Sequence, residues 1–342
     1  MPFRSSDDRL LVWGARGFIG RALVEHLLEE GAPVRVLTRR SDAPLPRWAD
    51  AVEWIELENA GQDRAFDRAL DGVKTVFNLA GSSGAVASNR DPVESLEANC
   101  RIQLGFLTAC ARTGHCPHIV FASSRLVYAT GGGKPITEHH PVAPLSMYAA
   151  HKLCVEHYHR IFAERGAVSF TICRISNPYG LDASAPGKGY GFINVLIQRA
   201  LAGDRLTLFG GGLQLRDYMY IDDLSRVLQL CGGRRDARNQ VLNVGAGCSL
   251  TMLDAATHIQ RALGGGGVID VQPWPKEYEA VESGDFVMDT TKLRALLRWA
   301  PAYPFEAGIA CVKARAQTRR ATAQSVGMPL GAVSHSGIST GS

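Results

Sequence analysis

The sequence lacks the features by which membrane-spanning, exported and nucleic-acid-binding chains are recognised. No apolar run approaches the roughly 18 residues that a membrane-spanning helix needs. The first eight residues, MPFRSSDD, contain no apolar segment typical of a secretory signal. The 37 basic and 33 acidic side chains leave a surplus of only +4, which is too small for a nucleic-acid groove. We therefore expect a cytoplasmic protein with neither a membrane nor a nucleic acid as partner.

The eight cysteines include no CxxC pair, and they are scattered through 342 residues. This distribution predicts buried, reduced thiols and no zinc site or disulfide framework, so no metal is expected. Hydrophobic residues make up 46% of the chain and charged residues 20%, which excludes wholesale disorder. The length suits one large domain or two ordinary ones.

Short β-branched runs alternate with amphipathic stretches of helical period along the first half of the chain. The predicted strands are 10–13, 34–37, 73–79, 118–122 and 168–174, and the predicted helices are 19–28, 96–111 and 148–164. Such alternation is typical of βαβ units in an α/β protein. It predicts a doubly wound, Rossmann-like parallel sheet.

The pattern changes near Asn177, where glycine-rich segments surround one predicted helix at 192–202. We predict a dinucleotide-binding domain at 1–175, to which 222–250 returns, with a strand near Val241–Val244. A smaller C-terminal α/β substrate lobe would comprise 176–221 and 251–312. The tail, 313–342, shows no periodic apolar residues and is predicted to be disordered.

Three glycines, Gly14, Gly17 and Gly20, lie between the first predicted strand and its following helix. Without side chains they let phosphate oxygens approach the backbone, and the new helix offers free N–H groups to a pyrophosphate. No Gly-Lys-Ser/Thr follows, so this is not a Walker loop. The spacing alone also suits a turn that only packs a helix on a strand, and the strand–turn–helix context favours a dinucleotide site.

The end of the second predicted strand bears on the choice between NAD and NADP. An NAD enzyme usually holds an acid there for the ribose 2′-hydroxyl, whereas this sequence has Thr38, followed by Arg39 and Arg40. A cation suits a 2′-phosphate, which an acid would repel. The predicted cofactor is therefore NADP or NAD, with NADP slightly favoured.

Tyr148 and Lys152 are one helical turn apart at the start of a predicted helix, so they share a face. A phenol with a pKa of about 10 needs about 4 kcal/mol of phenolate stabilisation to act as a base near pH 7. A lysine ammonium one turn away supplies charge of the required sign. Ser124 ends a predicted strand upstream and can reach the same pocket, although a serine there is also typical of a helix cap.

Several stretches of the sequence, in the same order, are similar to the motifs of one known family. They are Gly14–Gly20, Phe77–Gly81, Asn99, Ser123–Tyr128, Tyr148–Lys152, Arg174–Gly180, Arg216–Tyr218 with Asp222–Asp223, and Leu297–Pro301. On these motifs, over about residues 9–312, the chain resembles an extended short-chain dehydrogenase/reductase of the nucleotide-sugar epimerase/dehydratase family.

The resemblance implies an enzyme and assigns roles to its residues. Tyr148 would be the general base and acid, Lys152 its partner and a ribose contact, and Ser124 the hydroxyl that positions the substrate oxygen. The implied cofactor-binding residues are Gly14, Gly17, Phe18, Ile19, Gly20, Thr38, Arg39, Glu56, Leu57, Leu79, Ala80, Gly81, Asn99, Ala122, Tyr148 and Lys152. The implied substrate-binding residues are Ser124, Asn177, Lys188, Phe209 and Arg216, with Asn177 and Arg216 at the diphosphate and Phe209 stacked on the base.

Four positions depart from the family pattern. The acid near the adenine is Glu56 rather than the usual, shorter Asp, and Ala129 replaces the usual glycine after Val-Tyr. Arg125-Leu126 stands where related 4,6-dehydratases carry Asp-Glu, the pair that eliminates water, so that reaction is disfavoured. Residues 282–285, Glu-Ser-Gly-Asp, lack an arginine common in epimerases, which leaves Lys188 to help hold the diphosphate.

These implications support three functions. The first is an epimerase acting at carbon 4 of a UDP- or dTDP-sugar, through a transient ketone, on a polysaccharide-biosynthesis route. The second is an NADPH-dependent reductase of nucleotide-4-keto-6-deoxy-sugars, and the third, of another class, is a non-catalytic NADP-binding sensor. Family members often dimerise through two helices, here 94–112 and 148–164, so a homodimer is expected.

Overall fold

The computed structural model of the chain describes residues 9–39, 45–57, 62–181, 191–264 and 268–325. Its strands are β1 Arg9–Trp13, β2 Val34–Arg39, β3 Glu53–Leu57, β4 Val73–Asn78, β5 His118–Ser124, β6 Pro135–Ile136, β7 Ser169–Ile175, β8 Asn177–Tyr179, β9 Leu206–Phe209, β10 Leu215–Tyr220, β11 Gln240–Val244, β12 Ser249–Thr251, β13 Ile269–Gln272 and β14 Val287–Met288. Its helices are α1 Phe18–Glu29, α2 Gln62–Leu70, α3 Ala85–Arg90, α4 Pro92–Leu96, α5 Ile102–Thr113, α6 Met147–Glu164, α7 Gly191–Ala202, α8 Ile221–Gly233, α9 Met252–Leu263, α10 Lys276–Glu279, α11 Thr291–Leu297 and α12 Phe305–Ser325. None of the helices in these ranges has the length and apolar character needed to cross a membrane.

Seven parallel strands form the central sheet, in the order β11-β7-β5-β4-β1-β2-β3. From β1 the chain builds outward through β2 and β3, and it then adds β4, β5, β7 and β11 on the other side of β1. The strand order therefore reverses between β1 and β4. Ligands of open α/β sheets bind at such a reversal, beyond the carboxyl ends of the strands. The predicted doubly wound parallel sheet is confirmed.

Helices cover both faces of this sheet. α1 packs against α8 on one face, and α2 packs against α5 on the other. β5 is buried at all seven positions, as expected for a strand that is covered on both sides. Its carboxyl end carries two hydroxyl side chains, Ser123 and Ser124, so the strand delivers polar groups to the edge where the order reverses.

Three smaller sheets lie beyond the central one, in the orders β12-β10-β8, β13-β9 and β14-β6. The chain returns to the central sheet at β11, where Val241 pairs with Ile172 of β7, at the place where the sequence predicts a strand. The proposed boundaries of a dinucleotide-binding domain and a substrate lobe stay a prediction.

The prediction of a disordered tail from residue 313 is wrong as far as Ser325, because α12 runs from Phe305 to Ser325. Phe305, Ile309, Val312 and Ala316 recur at helical spacing, and all four are buried. That stripe begins before the predicted tail, so the segment after 313 looks aperiodic when it is considered alone. Arg315 also binds both carboxylate oxygens of Asp222, at 3.0 and 2.8 Å. Residues 326–342 lie outside the described residues.

A buried ion pair attaches α6 to the sheet. The carboxylate of Glu156 on α6 accepts hydrogen bonds from Arg174 on β7, from Nη2 at 2.7 Å and from Nε at 3.0 Å. The two side chains are 1% and 6% exposed. Ser123 of β5 donates to the same carboxylate, and the Arg174 guanidinium lies 4.7 Å from the centroid of the Tyr128 ring. One carboxylate thus joins α6, β5 and β7.

We predict that Arg174→Met lowers the free energy of unfolding by about 3–5 kcal/mol, because it leaves the Glu156 charge buried without its partner. Urea unfolding at pH 7 measures this change. Arg112→Met is the matched control, since it breaks a half-exposed pair with Asp67, and exposed pairs contribute little to stability. A loss in Arg174→Met no larger than in the control would contradict the prediction.

Candidate active site

The turn between β1 and α1 holds its backbone in contact with the end of β4. Gly14 has φ +92°, and a Cβ there would lie 2.8 Å from the carbonyl carbon of Leu79. A Cβ on Gly20 would lie 2.2 Å from the Gly14 oxygen. α1 begins at Phe18 with Gly17 as its N-cap and no side-chain cap. No side chain of the described residues therefore caps the start of this helix, where pyrophosphate binding would use backbone N–H groups.

The far side of this crevice is formed by the ends of β2 and β3. Thr38 pairs in register with Glu56, and Arg39 pairs with Leu57. The Thr38 hydroxyl donates to the carbonyl oxygen of Arg39 at 3.1 Å, and the side chains of Arg39 and Glu56 are exposed. Arg40 lies outside the described residues. This edge therefore carries one exposed cation and one exposed acid among its described residues.

Asn99 lies on a turn of π-helix, Glu97–Arg101, between α4 and α5. Its Nδ2 donates to the Ser82 hydroxyl at 2.9 Å and to the Ser95 carbonyl at 3.1 Å. Its Oδ1 is buried and has no hydrogen-bond partner among the described residues. Gly81 has φ +135°, and a Cβ on it would lie 2.4 Å from that oxygen. The pocket thus offers a free acceptor beside bare backbone.

These observations fit a dinucleotide at the predicted position. The glycine cradle leaves room that side chains would fill, the first turn of α1 supplies N–H donors, and the orphaned Oδ1 of Asn99 awaits a donor from a ligand. Leu79 and Ala80 continue from β4 directly into this pocket, and the Leu79 N–H donates to the Trp13 carbonyl at 2.9 Å. When bound, the nicotinamide cofactor would supply reversible hydride acceptance.

Ser124 ends β5, and Tyr148 and Lys152 lie on α6, which packs against that strand. Ser146 caps α6 by accepting a hydrogen bond from the Ala149 N–H at 3.3 Å, which starts the helix just before Tyr148. The Lys152 ammonium donates to the Ala122 carbonyl at 2.8 Å and lies 5.8 Å from the centroid of the Tyr148 ring. All three predicted catalytic side chains are nearly buried, at 9%, 7% and 6% exposed.

The Ser124 side chain has the capping role that its position also suggests, since its Oγ accepts a hydrogen bond from the Leu126 N–H at 3.2 Å. This does not use the hydroxyl hydrogen, because an acceptor keeps its own O–H free to donate. The cap therefore orients the hydroxyl, and its hydrogen stays available for a substrate oxygen.

Burial lowers the pKa of Lys152 to about 8, against partial opposition from Cys100 and Glu156, which raise it. At pH 7 the side chain is still an ammonium. The site thus holds a cation near the Tyr148 ring in an environment that screens it weakly, which is the arrangement that stabilises a phenolate.

Two of the predicted substrate residues lie on neighbouring strands. The Asn177 side-chain amide donates to the Asp217 carbonyl oxygen at 2.9 Å. Arg216 is buried, ion-paired with Glu282, and donates to the Gly284 carbonyl at 2.6 Å. The predicted diphosphate cation is therefore bonded to a carboxylate of the chain itself.

Phe209, the predicted base-stacking residue, lies in a cluster of aromatic rings. Its ring centroid is 6.2 Å from that of Phe192, 5.8 Å from that of Trp274 and 6.0 Å from that of Tyr278. Lys188 lies outside the described residues, so the structure does not place the second predicted diphosphate cation.

The sequence-based reasoning gave no role to Arg125, Glu282, Trp274 or Tyr278. The two aromatic residues are far from Phe209 in sequence and reach it only through the pairing of β13 with β9. The sequence did contain a signal for Arg125 as a site residue, because this cation directly follows the predicted catalytic serine, Ser124. Within the described ranges, no three His, Cys, Asp or Glu side chains are grouped as metal ligands.

Comparison with known proteins extends these observations over most of the chain. Residues 10–245 match the model of the NAD dependent epimerase/dehydratase family. A UDP-glucose 4-epimerase of Mycolicibacterium smegmatis is 29% identical over 311 residues, covering 88% of this chain and 96% of the relative. A dTDP-4-dehydro-6-deoxyglucose reductase of Escherichia coli is 26% identical over 307 residues, covering 88% and 95%. The solved structure of a Thermus thermophilus UDP-glucose 4-epimerase in complex with NAD has a TM-score of 0.79 at 26% identity, covering 90% of this chain and 99% of that one.

We predict that Gly14→Ala weakens NAD binding, because the new Cβ would collide with the Leu79 backbone. Gly31→Ala is the matched control, since Gly31 also has positive φ, +73°, but a Cβ placed there would have nothing within 4 Å. Both variants carry a backbone strain of about 1–2 kcal/mol, and only Gly14→Ala should lose affinity in calorimetric titration with NAD. Equal affinities in the two variants would rule out a role for close backbone approach.

We also predict that Lys152 makes stability depend on pH. Its folded-state pKa of about 8 lies below the ordinary 10.5, so the unfolded chain binds more protons between these values and stability rises as the pH rises through them. Between pH 8 and 10.5 the wild type should gain, relative to Lys152→Met, on the order of 3 kcal/mol in the free energy of unfolding. Parallel pH dependence in the two proteins would show that the buried ammonium contributes none of it.

Proposed function

The chain belongs to the NAD-dependent epimerase/dehydratase family, and from that premise we propose that it is a nucleotide-sugar epimerase acting at carbon 4. The observation that carries the proposal is the burial of Lys152 beside Tyr148, with its ammonium bonded to Ala122 of the strand that ends in Ser124. The UDP-glucose 4-epimerase of Mycolicibacterium smegmatis, similar over 88% of the chain, supports UDP rather than dTDP as the nucleotide.

In this proposal Tyr148 takes the proton from the hydroxyl at carbon 4 and later returns it. The Ser124 hydroxyl donates to the same substrate oxygen while its Oγ stays bonded to the Leu126 N–H. A nicotinamide cofactor held at the glycine cradle would supply reversible hydride acceptance at carbon 4. Between the two transfers the transient ketone turns over, so that its opposite face is reduced and the configuration at carbon 4 is inverted.

Lys152 makes this proton transfer possible near neutral pH. Lowering the phenol pKa from about 10 to near 7 requires about 4 kcal/mol of phenolate stabilisation. The Lys152 ammonium is held by the Ala122 carbonyl and is largely removed from water, so its interaction with a phenolate is stronger than it would be in solvent.

Elimination of water is a poorer alternative. The residues that follow Ser124 are Arg125 and Leu126, and neither side chain can act as a carboxylic acid or a carboxylate base. The proposal therefore excludes the dehydratase reaction for this family member.

A second candidate is a nucleotide-4-keto-6-deoxy-sugar reductase that consumes NADPH. It is favoured by the exposed Arg39 at the end of β2, which suits a 2′-phosphate. The dTDP-4-dehydro-6-deoxyglucose reductase of Escherichia coli is also similar over 88% of the chain. The same three catalytic residues serve both reactions, since each requires proton transfer at the oxygen of carbon 4.

We further propose a homodimer that pairs α4–α5 and α6 with their copies in a second chain. Val93, Leu96 and Leu104 on the first helical segment and Met147 and Ile161 on α6 are 40–68% exposed. Leu107 and Val155 on the same helices are buried in the core. The exposed apolar residues therefore form a face distinct from the one that packs on the sheet.

Identifying the nucleotide released from the denatured protein, together with activity of Tyr148→Phe, tests the proposal. We expect near-stoichiometric NAD or NADP, because an epimerase recycles its cofactor in place. We expect Tyr148→Phe to keep that nucleotide and to lower kcat for interconversion of UDP-glucose and UDP-galactose about 10²–10⁴-fold.

Other outcomes select other functions. A protein purified empty that binds NADPH reversibly would favour the reductase. Retention of NADP by a wild type that turns over no nucleotide sugar would indicate the non-catalytic sensor. A chain that binds neither nucleotide would contradict the cofactor assignment itself.

A further inference from the structure

Beyond Ser124 lie two buried guanidinium groups and one carboxylate that pairs with only one of them. Arg125 and Arg216 are 9% and 6% exposed. Glu282 binds Arg216. Asp217 is also buried, but its carboxylate accepts from the backbone N–H groups of residues 246–248. In the part of the chain that the structure describes, no carboxylate forms an ion pair with Arg125.

Only neutral groups hold Arg125 in place. Its Nε donates to Asn177 Oδ1 at 3.3 Å, and its Nη1 donates to the Ser283 hydroxyl at 3.1 Å. The guanidinium carbon lies 5.0 Å from the centroid of the Phe286 ring. Among the described residues, its Nη2 has no hydrogen-bond partner. The side chain is thus oriented from two sides and over one face, and none of these contacts is with a carboxylate.

A buried charge without a partner opposes folding unless something compensates it. Burial and the nearby Arg216 lower the pKa of Arg125 to about 9, with partial opposition from Glu282, Tyr218 and Asp217, so the group is still a cation at pH 7. The chain therefore keeps, directly after Ser124, a buried cation that is near two carboxylates but directly bonded to neither. An anion brought by the ligand would compensate it.

We propose that Arg125 binds a carboxylate carried by the sugar, and that the substrate is therefore a nucleotide-linked sugar acid. This inference rests on the proposed function, because it concerns the sugar held in front of Ser124 and Tyr148. A guanidinium binds a carboxylate through two parallel hydrogen bonds, and the unpartnered Nη2 of Arg125 is available for one of them.

The location of Arg125 favours the sugar over the diphosphate as its partner. Arg125 directly follows Ser124, the residue proposed to hold the reacting oxygen of the sugar, so it starts next to the sugar. Arg216 enters from β10, on the other side of Asn177, and is bonded to Glu282 and Gly284. A diphosphate that displaces Glu282 would be neutralised there, which leaves Arg125 for a second anion on the same ligand.

Equilibrium binding of UDP, UDP-glucose and UDP-glucuronic acid tests this inference. The two nucleotide sugars differ only in that UDP-glucuronic acid has a carboxylate where UDP-glucose has a hydroxymethyl group. The titrations use the cofactor-loaded full chain in the Tyr148→Phe background, so that no turnover occurs. We expect UDP-glucuronic acid to bind about 10–100-fold more tightly than UDP-glucose. Adding Arg125→Met should remove this preference and change the affinity for UDP by less than about threefold.

Three controls accompany the titrations. Arg125→Lys keeps the charge and should retain part of the preference, whereas Arg112→Met, at a distant exposed pair, should retain all of it. The preference for UDP-glucuronic acid over UDP-glucose is measured first in the protein that keeps Arg125. The inference can therefore be rejected even if Arg125→Met does not fold.

Each other outcome rejects the inference in a recognisable way. If Arg125→Met lowered the affinity for all three ligands equally, Arg125 would be assigned to binding of the diphosphate. If UDP-glucose bound as tightly as UDP-glucuronic acid, the sugar-acid substrate would be rejected, whereas the proposed epimerase function would still stand. Failure of all three ligands to bind would overturn the proposed function together with the inference.

Discussion

The carboxylate of Glu156 fixes the geometry on which the rest of the site depends. It is one turn beyond Lys152 on α6, and it binds both Arg174 of β7 and Ser123 of β5. Ser123 is the neighbour of Ser124, so one buried ion sets the distance between the strand that bears the serine and the helix that bears the tyrosine and lysine. A catalytic arrangement that tolerates errors of only about 0.5 Å requires such a support.

The sequence predicts those parts of the molecule that depend on local pattern. Alternating strands and helices gave the parallel sheet, and the glycine turn and the Tyr148–Lys152 pair lie where their spacing indicated. The helical tail was missed because its apolar stripe begins before the segment that was judged disordered. The surroundings of Phe209 and the pairing of Arg216 with Glu282 could not be predicted, since they join residues more than 60 positions apart through small sheets with weak sequence signals.

Electrostatics divides the candidate site into two parts with opposite requirements. Around Tyr148 the chain supplies one cation, Lys152, in a nearly dry pocket, which suits proton transfer. Around Asn177 it supplies two guanidinium groups, only one of which is ion-paired with a carboxylate among the described residues, which suits a multiply charged ligand. Glu282 occupies an anion position on Arg216 before any ligand arrives, so a substrate phosphate would have to compete with an internal carboxylate. Such competition favours ligands that bring more than one negative charge.

The position of β11 in the sheet has a consequence for synthesis of the chain. β11 is the outer neighbour of β7, but it begins about 65 residues after β7 ends. While the polypeptide emerges from the ribosome, β7 therefore has an unpaired edge, and the strands β1 to β7 can associate before their last partner exists. An unpaired edge of a growing parallel sheet is prone to pair with the wrong strand. Of the described strands within that interval, only β8 and β10 can pair with each other, since β9 has to wait for β13, which is made after β11. The time needed to synthesise and fold this segment therefore sets how long the nascent chain is exposed to aggregation.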